Sequence, residues 1–574
     1  MNLVLAILSF FGAVLLPGAI LQKIFIKEKF VISSFVIYSF IFSLCFNFVL
    51  ISFLILTRIY TQNIVVSILF IEWIVFLYIF RNEIIYGIHT PKITQIQDNN
   101  AKIYFILGTL ISLYMLNNIL KVDIFYAWDA VVSWNRWATE LASMDFVLND
   151  GGYPQLYPML ISLGYVASGK ISSFQGIGVA IWQYFAFAGI VCSIFLLPKD
   201  SKDMAKWSAF GLILGVITYL AFFSLTNQFF VGYVDMPVSM IILMSSLLML
   251  KASICLDEND KQNAYKYLIL SAFCAGISCQ IKQAGLFYIA VYAICLFYLY
   301  FKYKISNKIL LLCIFIAALF VMPWAIIAMY KKFILDMDAT NASYTMSGIY
   351  GDKSPLERLM NNIWNPFSLF ALAGLFSIIS KNVIIGIFGI FGFLYFIFWG
   401  CFLSYDLRNM QAGIPFMIIA TSYLLYSLFS KKDGIFLFLY KRVGLLFISF
   451  IIVGLIISFF SQEKILQGEY KRKTTLGGKE ISKIISDTYK NRGEKMLLTG
   501  NQPIAYNPNI NRGYKHYNFN IQDDKLIQDL NDFKNDNGAF YILLTKNEYN
   551  IHKDILKDSI YLGDDGYYIL LEFN

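Results

Sequence analysis

One pattern recurs along this chain: an apolar run of about 20 residues, a short polar break, then another apolar run. Such runs lie near 1–22, 30–57, 62–80, 102–120, 176–198, 208–226, 236–252, 265–282, 284–301, 309–330, 364–380, 383–402, 412–430 and 443–460. In lipid, a run of this length satisfies its backbone polar groups only as a helix. The chain is 58% hydrophobic and 14% charged. Soluble domains carry about 25% charged residues, so a single soluble domain is excluded. The expected fold is a polytopic α-helical membrane protein of about 14 spans. The stretch Leu3–Ile20 has no basic segment ahead of it and reads as a first span rather than a cleaved signal.

Orientation follows from the basic loops. Lys23, Lys27 and Lys29 separate the first two runs, and Arg81, Lys92 and Lys102 follow the third. Further clusters are Lys199, Lys202 and Lys206; Lys302, Lys304 and Lys308; and Lys431, Lys432, Lys441 and Arg442. All of them fall in the cytoplasm if the N-terminus is outside and 156–168 does not cross. That segment is then juxtamembrane or re-entrant on the outer face, and 121–175 forms one large external loop. The net charge of +9 is thus spent on topology rather than on binding nucleic acid. The expected location is a plasma (inner) membrane, with the lipid bilayer as the first partner.

After residue 460 the composition turns polar. Met496–Thr499, Phe540–Thr545 and Tyr567–Phe573 read as strands, and Gly478–Tyr489 and Asp523–Phe533 as helices. A small C-terminal α/β domain over 461–574 is expected, on the extracytoplasmic side. The eight cysteines all lie in or beside apolar runs, with no disulfide or zinc-finger spacing, and read as small packing residues.

The first half of the chain is mostly apolar, and the acidic residues and tryptophans of 123–142 stand out against it. Taken as a helix, 129–144 places Ala130, Trp134, Trp137, Leu141 and Met144 on one stripe. Asp129, Ser133, Arg136, Glu140 and Ser143 fall on another. A Trp-bearing face beside a charged one suits a membrane interface. A plain interfacial anchor explains that periodicity as well as a catalytic loop does. Convergence favours the catalytic reading. Asp235 starts a span, Lys282 sits in a tight turn between two spans, and Arg408 lies between two more. The deduced topology puts all three on the face that holds Asp129. Ionisable groups near membrane depth are costly and mark function. Two carboxylates with a Lys and an Arg fit a base opposite an anion-binding pair, as in a reaction that expels a phosphate.

These segments resemble the GT-C superfamily of integral-membrane glycosyltransferases, in the branch of protein O-mannosyltransferases and lipid A aminoarabinose transferases. The acidic motif after an early span is similar to Asp129 through Ala138. The proline-aromatic stretch that follows is similar to Tyr153, Pro154, Tyr157 and Pro158. Later motifs are matched by Asp235, by Lys282 with Gly285, and by Arg408 with Pro415. The family's first motif usually has two adjacent acids. Here Ala130 follows Asp129, so Asp123 or Glu140 would supply the second carboxylate.

The resemblance covers about 102–460 and leaves 1–101 as extra N-terminal spans. It implies an inverting transfer of a sugar from a polyprenyl-phosphate donor to a glycan, lipid or protein acceptor outside the cytoplasm. Asp129 and Asp235 would be catalytic, with Asp129 the base. Asp123, Arg136, Glu140, Tyr153, Tyr157, Lys282 and Arg408 would bind substrate, with Lys282 and Arg408 on the lipid phosphate. No cofactor is assigned. None of His89, His516 and His552 falls among the site candidates, and a carboxylate-held divalent metal stays open. Three other readings remain: an O-antigen-type polymerase or ligase, a lipid or sugar transporter, and a non-catalytic assembly protein that keeps only the membrane scaffold.

Overall fold

The computed structural model describes residues 2–26, 32–86, 125, 129–142, 144, 153–169, 175–197, 210–211, 213–215, 218, 232–334, 353–404, 406–429, 479–493, 495–499, 514–516, 519 and 523–574. Among them, nine helices are long and apolar enough to cross a membrane, or ten if one bent pair counts as a single span. The expected runs 102–120 and 443–460, and most of 208–226, lie outside the described residues.

The chain begins with α1 (Asn2–Val14) and α2 (Leu16–Phe25), which the hydropathy pattern reads as one span. Pro17 causes the break, because it has no N–H to offer the Ala13 carbonyl one turn back. The freed carbonyls of Gly12 and Ala13 accept hydrogen bonds from Asn47 Nδ2 at 2.9 and 3.0 Å. Asn47 lies on α3 (Ile32–Leu56), which leads to α4 (Gln62–Ile79) and the short α5 (Arg81–Tyr86). Lys23 on α2 pairs with Glu83 on α5, which brings the Lys23 and Arg81 ends together.

The next described elements are a π-helical turn, Ala130–Asn135, and α6 (Arg136–Ala142), followed by α7 (Leu156–Ser168) and α8 (Gln175–Phe195). Then come the antiparallel helices α9 (Asp235–Asp257), α10 (Lys261–Ile281), α11 (Gly285–Tyr303) and α12 (Asn307–Phe333). The membrane part closes with α13 (Pro355–Asn362), α14 (Phe367–Phe376), α15 (Val383–Phe398) and α16 (Ile414–Phe429). One continuous apolar core runs from Ala13 to Ile419, so the N-terminal helices are built into the bundle. Its ends can be assigned from contacts. Lys266 lies over the Tyr38 ring, which joins the start of α10 to the start of α3. Asp235, Lys282 and the α3–α4 turn therefore share the opposite end.

The segment 156–168, expected to be juxtamembrane or re-entrant, does not face lipid: every residue of α7 is buried inside the bundle. Both of its flanks sit at the Asp235 end. Gln62 at the start of α4 donates to Ala167 O, and Tyr153 is close enough to Lys282 to act on its charge. The Trp face of 129–144 is not an interfacial face either. Trp134 and Trp137 are buried and pack edge-on against each other, with centroids 4.7 Å apart, and both rings meet Tyr153. The helix lays this stripe on α7 because α7 offers an apolar surface on every side. Met144, expected on the same stripe, is exposed and left-handed, so the helix has ended before it.

The tail is a five-stranded sheet in the order β2-β1-β3-β5-β4, flanked by α17 (Lys479–Arg492), α18 (Asp523–Asn537) and the short α19 (Lys546–Ile551). The strands are β1 (Leu497–Thr499), β2 (Tyr514–His516), β3 (Phe540–Thr545), β4 (Ile560–Asp564) and β5 (Tyr568–Phe573). The first three pair in parallel, and β5 joins β3 and β4 antiparallel. Of the eight cysteines, seven are buried and Cys401 is half-buried; none is bonded to another.

Glu572 on β5 is almost fully buried and pairs with Arg492 and Lys495. Burial alone would raise its carboxyl, but the two cations outweigh burial and hold it below the usual value. The stabilisation is full above the unfolded carboxyl value of about 4.3. It is lost as pH falls from there through the depressed folded value. Hydrogen exchange on the full chain should therefore show β5 protection falling with acid. Glu572→Gln should flatten that dependence, and an unchanged slope would remove the triad as its source.

Candidate active site

Four chain segments, far apart in sequence, meet at the Asp235 end of the bundle. Asp129 precedes the π turn at Ala130. Asp235 opens α9, where a carboxylate complements the exposed N–H groups of the first turn. Lys282 follows the last turn of α10 in extended conformation. Arg408 lies in a 3-10 turn, Leu407–Ala412, that links α15 to α16.

These residues form two ion pairs. Arg408 Nη1 donates to Asp129 Oδ2 at 2.6 Å, and Lys282 Nζ donates to Asp235 Oδ1 at 2.5 Å. Asp406 adds a third carboxylate. It accepts from Arg408 Nε at 2.6 Å and from the Arg408 backbone N–H at 2.9 Å. The two pairs form one electrostatic cluster, since Arg408 feels Asp235 and Lys282 feels Arg408. Burial alone would pull both cations down. The facing carboxylates outweigh it and hold Lys282 and Arg408 above their ordinary values. Both cations are therefore fully charged near neutral pH.

The walls of the site explain the placement. The Arg408 guanidinium lies over the Tyr233 ring, 4.3 Å from its centroid, in cation–π contact. Tyr233 OH accepts from the Asp129 backbone N–H at 3.4 Å, and Trp182 Nε1 donates to Tyr233 O at 2.7 Å. Gly232 makes this approach available. Its φ is +96°, and an added Cβ would lie 2.5 Å from Phe125 and 2.6 Å from Ala130. Gly285 does the same for Lys282, because a Cβ there would stand 2.5 Å from the Ser278 carbonyl carbon. Trp399 Nε1 donates to Asp406 O at 3.1 Å and Tyr395 OH to Asn409 O at 2.8 Å, which fastens the Arg408 turn to α15 and the turn after it.

The other expected site residues take varied places. Tyr153 is half-buried beside the two tryptophans and acts on the charge of Lys282. Arg136 Nε donates to Glu140 Oε1 at 2.8 Å, one turn on along the same helix. Tyr157 lies in the core against Phe185, fully buried. Asp123 is outside the described residues. Sequence reasoning missed Tyr233 and Asp406 as members of the cluster, although each lies two residues from an expected site residue. Among the described residues, no three His, Cys, Asp or Glu side chains are grouped as metal ligands.

The two pairs differ in burial. The Asp129–Arg408 side chains are 39% and 22% exposed, and such a pair contributes at most about 1 kcal/mol. Asp235 is only 8% exposed. Removing its cation leaves a buried charge, at a cost of about 3 kcal/mol. Lys282→Met should thus lower the thermal midpoint of the full chain in nanodiscs, and adding Asp235→Leu should recover most of the loss. Additive losses would show that the pair is not coupled.

No family model and no curated protein sequence matches this chain. Among solved structures, the fold is similar to the crystal structure of ArnT from Cupriavidus metallidurans bound to undecaprenyl phosphate, at a TM-score of 0.50 and 12% identity, covering 82% of this chain and 98% of that one. At this identity the likeness is one of fold.

Proposed function

We propose that this chain is a membrane glycosyltransferase that takes a sugar from a polyprenyl-phosphate donor and passes it to an acceptor on the extracytoplasmic side. The observation that carries this reading is the meeting of Asp129, Asp235, Lys282 and Arg408 in two linked ion pairs at one end of an ArnT-like bundle. The ArnT structure has undecaprenyl phosphate bound, which supports a donor of that chemistry here.

The mechanism follows from competition for the cations. A lipid phosphate that reaches Lys282 and Arg408 replaces carboxylate oxygens as their partner. Asp129, the more exposed carboxylate, is then released from Arg408 and free to accept a proton. In the reacting complex Asp129 takes the proton of an acceptor hydroxyl as that oxygen attacks the anomeric carbon. The bond from the anomeric carbon to the phosphate oxygen breaks on the opposite side, and the configuration inverts. The electron pair goes to the phosphate, where Lys282 and Arg408 balance the added charge. Asp235 holds Lys282 in place, and Asp406 and the Tyr233 ring do the same for Arg408.

Residues 102–460 would carry the transferase and 461–574 an extracytoplasmic domain, with the helices of 1–101 as an N-terminal addition. The sidedness rests on Lys23, Arg81, Lys302, Lys304 and Lys308, which gather at the end opposite the ion pairs and favour the cytoplasm. The protein would then be a multi-pass component of the plasma (inner) membrane.

Two variants test the scheme with the full chain in nanodiscs. Asp129→Asn should abolish release of polyprenyl phosphate from a polyprenyl-phosphate sugar, by a factor of about 10² or more, while donor still binds. Full turnover would remove Asp129 as the base. Arg408→Ala should weaken undecaprenyl phosphate binding by about tenfold or more, as expected for a lost charge-assisted contact. Unchanged affinity would take Arg408 out of the phosphate site.

A further inference from the structure

The helix α13, Pro355–Asn362, touches the core only through Leu359 and has no part in the ion-pair cluster. A capping box closes its start, with Ser354 and Glu357 bonding each other's backbone N–H. It is therefore a separate helix rather than the frayed end of a span. It meets the apolar helix that follows, Phe367–Ile379, at 95°. Leu356, Met360, Ile363 and Trp364 follow the spacing i, i+4, i+7, i+8, and all are exposed, Trp364 at 91%. Arg358, Asn361 and Asn362 lie on the other side, and Lys353 adds a basic group at the start. The remaining apolar residue, Leu359, presses on Gly400, where an added Cβ would lie 2.6 Å from its side chain. Gly400 belongs to the π-helical turn Trp399–Leu403, which leads into Asp406 and Arg408.

We propose that α13 and the Ile363–Trp364 elbow form a membrane-surface anchor, seated in the boundary between headgroups and acyl chains at the ion-pair end. The occupant of its apolar stripe is the phospholipid surface. Phe367–Ile379 packs along the span Val383–Leu403, so a helix at about a right angle to it lies in the plane of the bilayer, and an amphipathic one buries its apolar side there. The exposed apolar surface continues from Trp364 into that helix at Leu369, so both belong to one lipid-facing surface. Tryptophan at such an elbow suits the headgroup layer. Through Leu359 and Gly400 the anchor holds the Arg408 turn at that depth. The inference stands whether or not the chain transfers sugars.

The test is a depth measurement on the full chain in nanodiscs of phosphatidylcholine and phosphatidylglycerol. Nitroxide labels are placed at L356C, M360C, W364C and N361C in a Cys401→Ser background, since the other seven cysteines are buried. Oxygen and nickel-chelate accessibilities then give depth. The labels at 356, 360 and 364 should share one depth at the headgroup boundary, and the label at 361 should face water. Depth that increases by about 6 Å from one label to the next would make the segment part of a broken span and overturn the proposal. Full water exposure at 356, 360 and 364 would overturn it too. So would spin–spin broadening between copies, which would assign the stripe to a second protomer.

Discussion

Charge at the edge of a bilayer has to be paired, and that requirement shapes the functional end of this molecule. An isolated carboxylate or ammonium near membrane depth costs several kcal/mol, about as much as the net stability of many domains. Asp235 and Lys282 cancel each other across a turn between two spans, and Arg408 sits among Asp129, Asp406 and the Tyr233 ring. The two cations are held charged without being consumed. In the proposed reaction a lipid phosphate takes over that pairing, and the same interaction would favour an anionic partner over a neutral one.

That cluster depends on scaffolding with little chemistry of its own. Gly232 lets the Tyr233 backbone pass between Phe125 and Ala130, and the Trp182 indole then fixes it. The buried α7 enters and leaves at the same end and carries Tyr153 beside Lys282 and the two tryptophans. The N-terminal helices close around α7. Tyr60 bonds Ser162, and Asn47 mends the backbone where Pro17 interrupts the first span. Their role is visible in the packing: without them α7 would present an apolar surface with a buried tyrosine to lipid.

Much of this organisation was legible in the sequence because hydrophobic length is a local property. Among the described residues, the apolar runs are helical close to their expected bounds, and the central strands β1, β3 and β5 were found from their apolar stretches. The two missed strands, β2 and β4, are the edges of the sheet. Edge strands are short and half-solvated: Tyr514–His516 has no apolar run, and the apolar Ile560–Leu562 of β4 is cut short by Gly563 and Asp564. The gathering of Asp129, Asp235, Lys282 and Arg408 at one end was also legible, since helix counting alone decides which turns share a face.

By itself, then, the sequence determined the membrane class, most of the spans, the α/β tail and the set of charges available to a site. Only the tertiary structure decided how those charges pair and which aromatic residues face inward. Arg408 reaches Asp129 across 279 positions, and no periodicity encodes a partner at that separation. The tryptophan stripe of 129–144 and the apolar face of α7 each look like lipid-facing surfaces when read alone. Each is buried because the other covers it. An apolar residue satisfies lipid and protein alike, so its neighbours are chosen by shape complementarity between helices, which exists only once the bundle has formed.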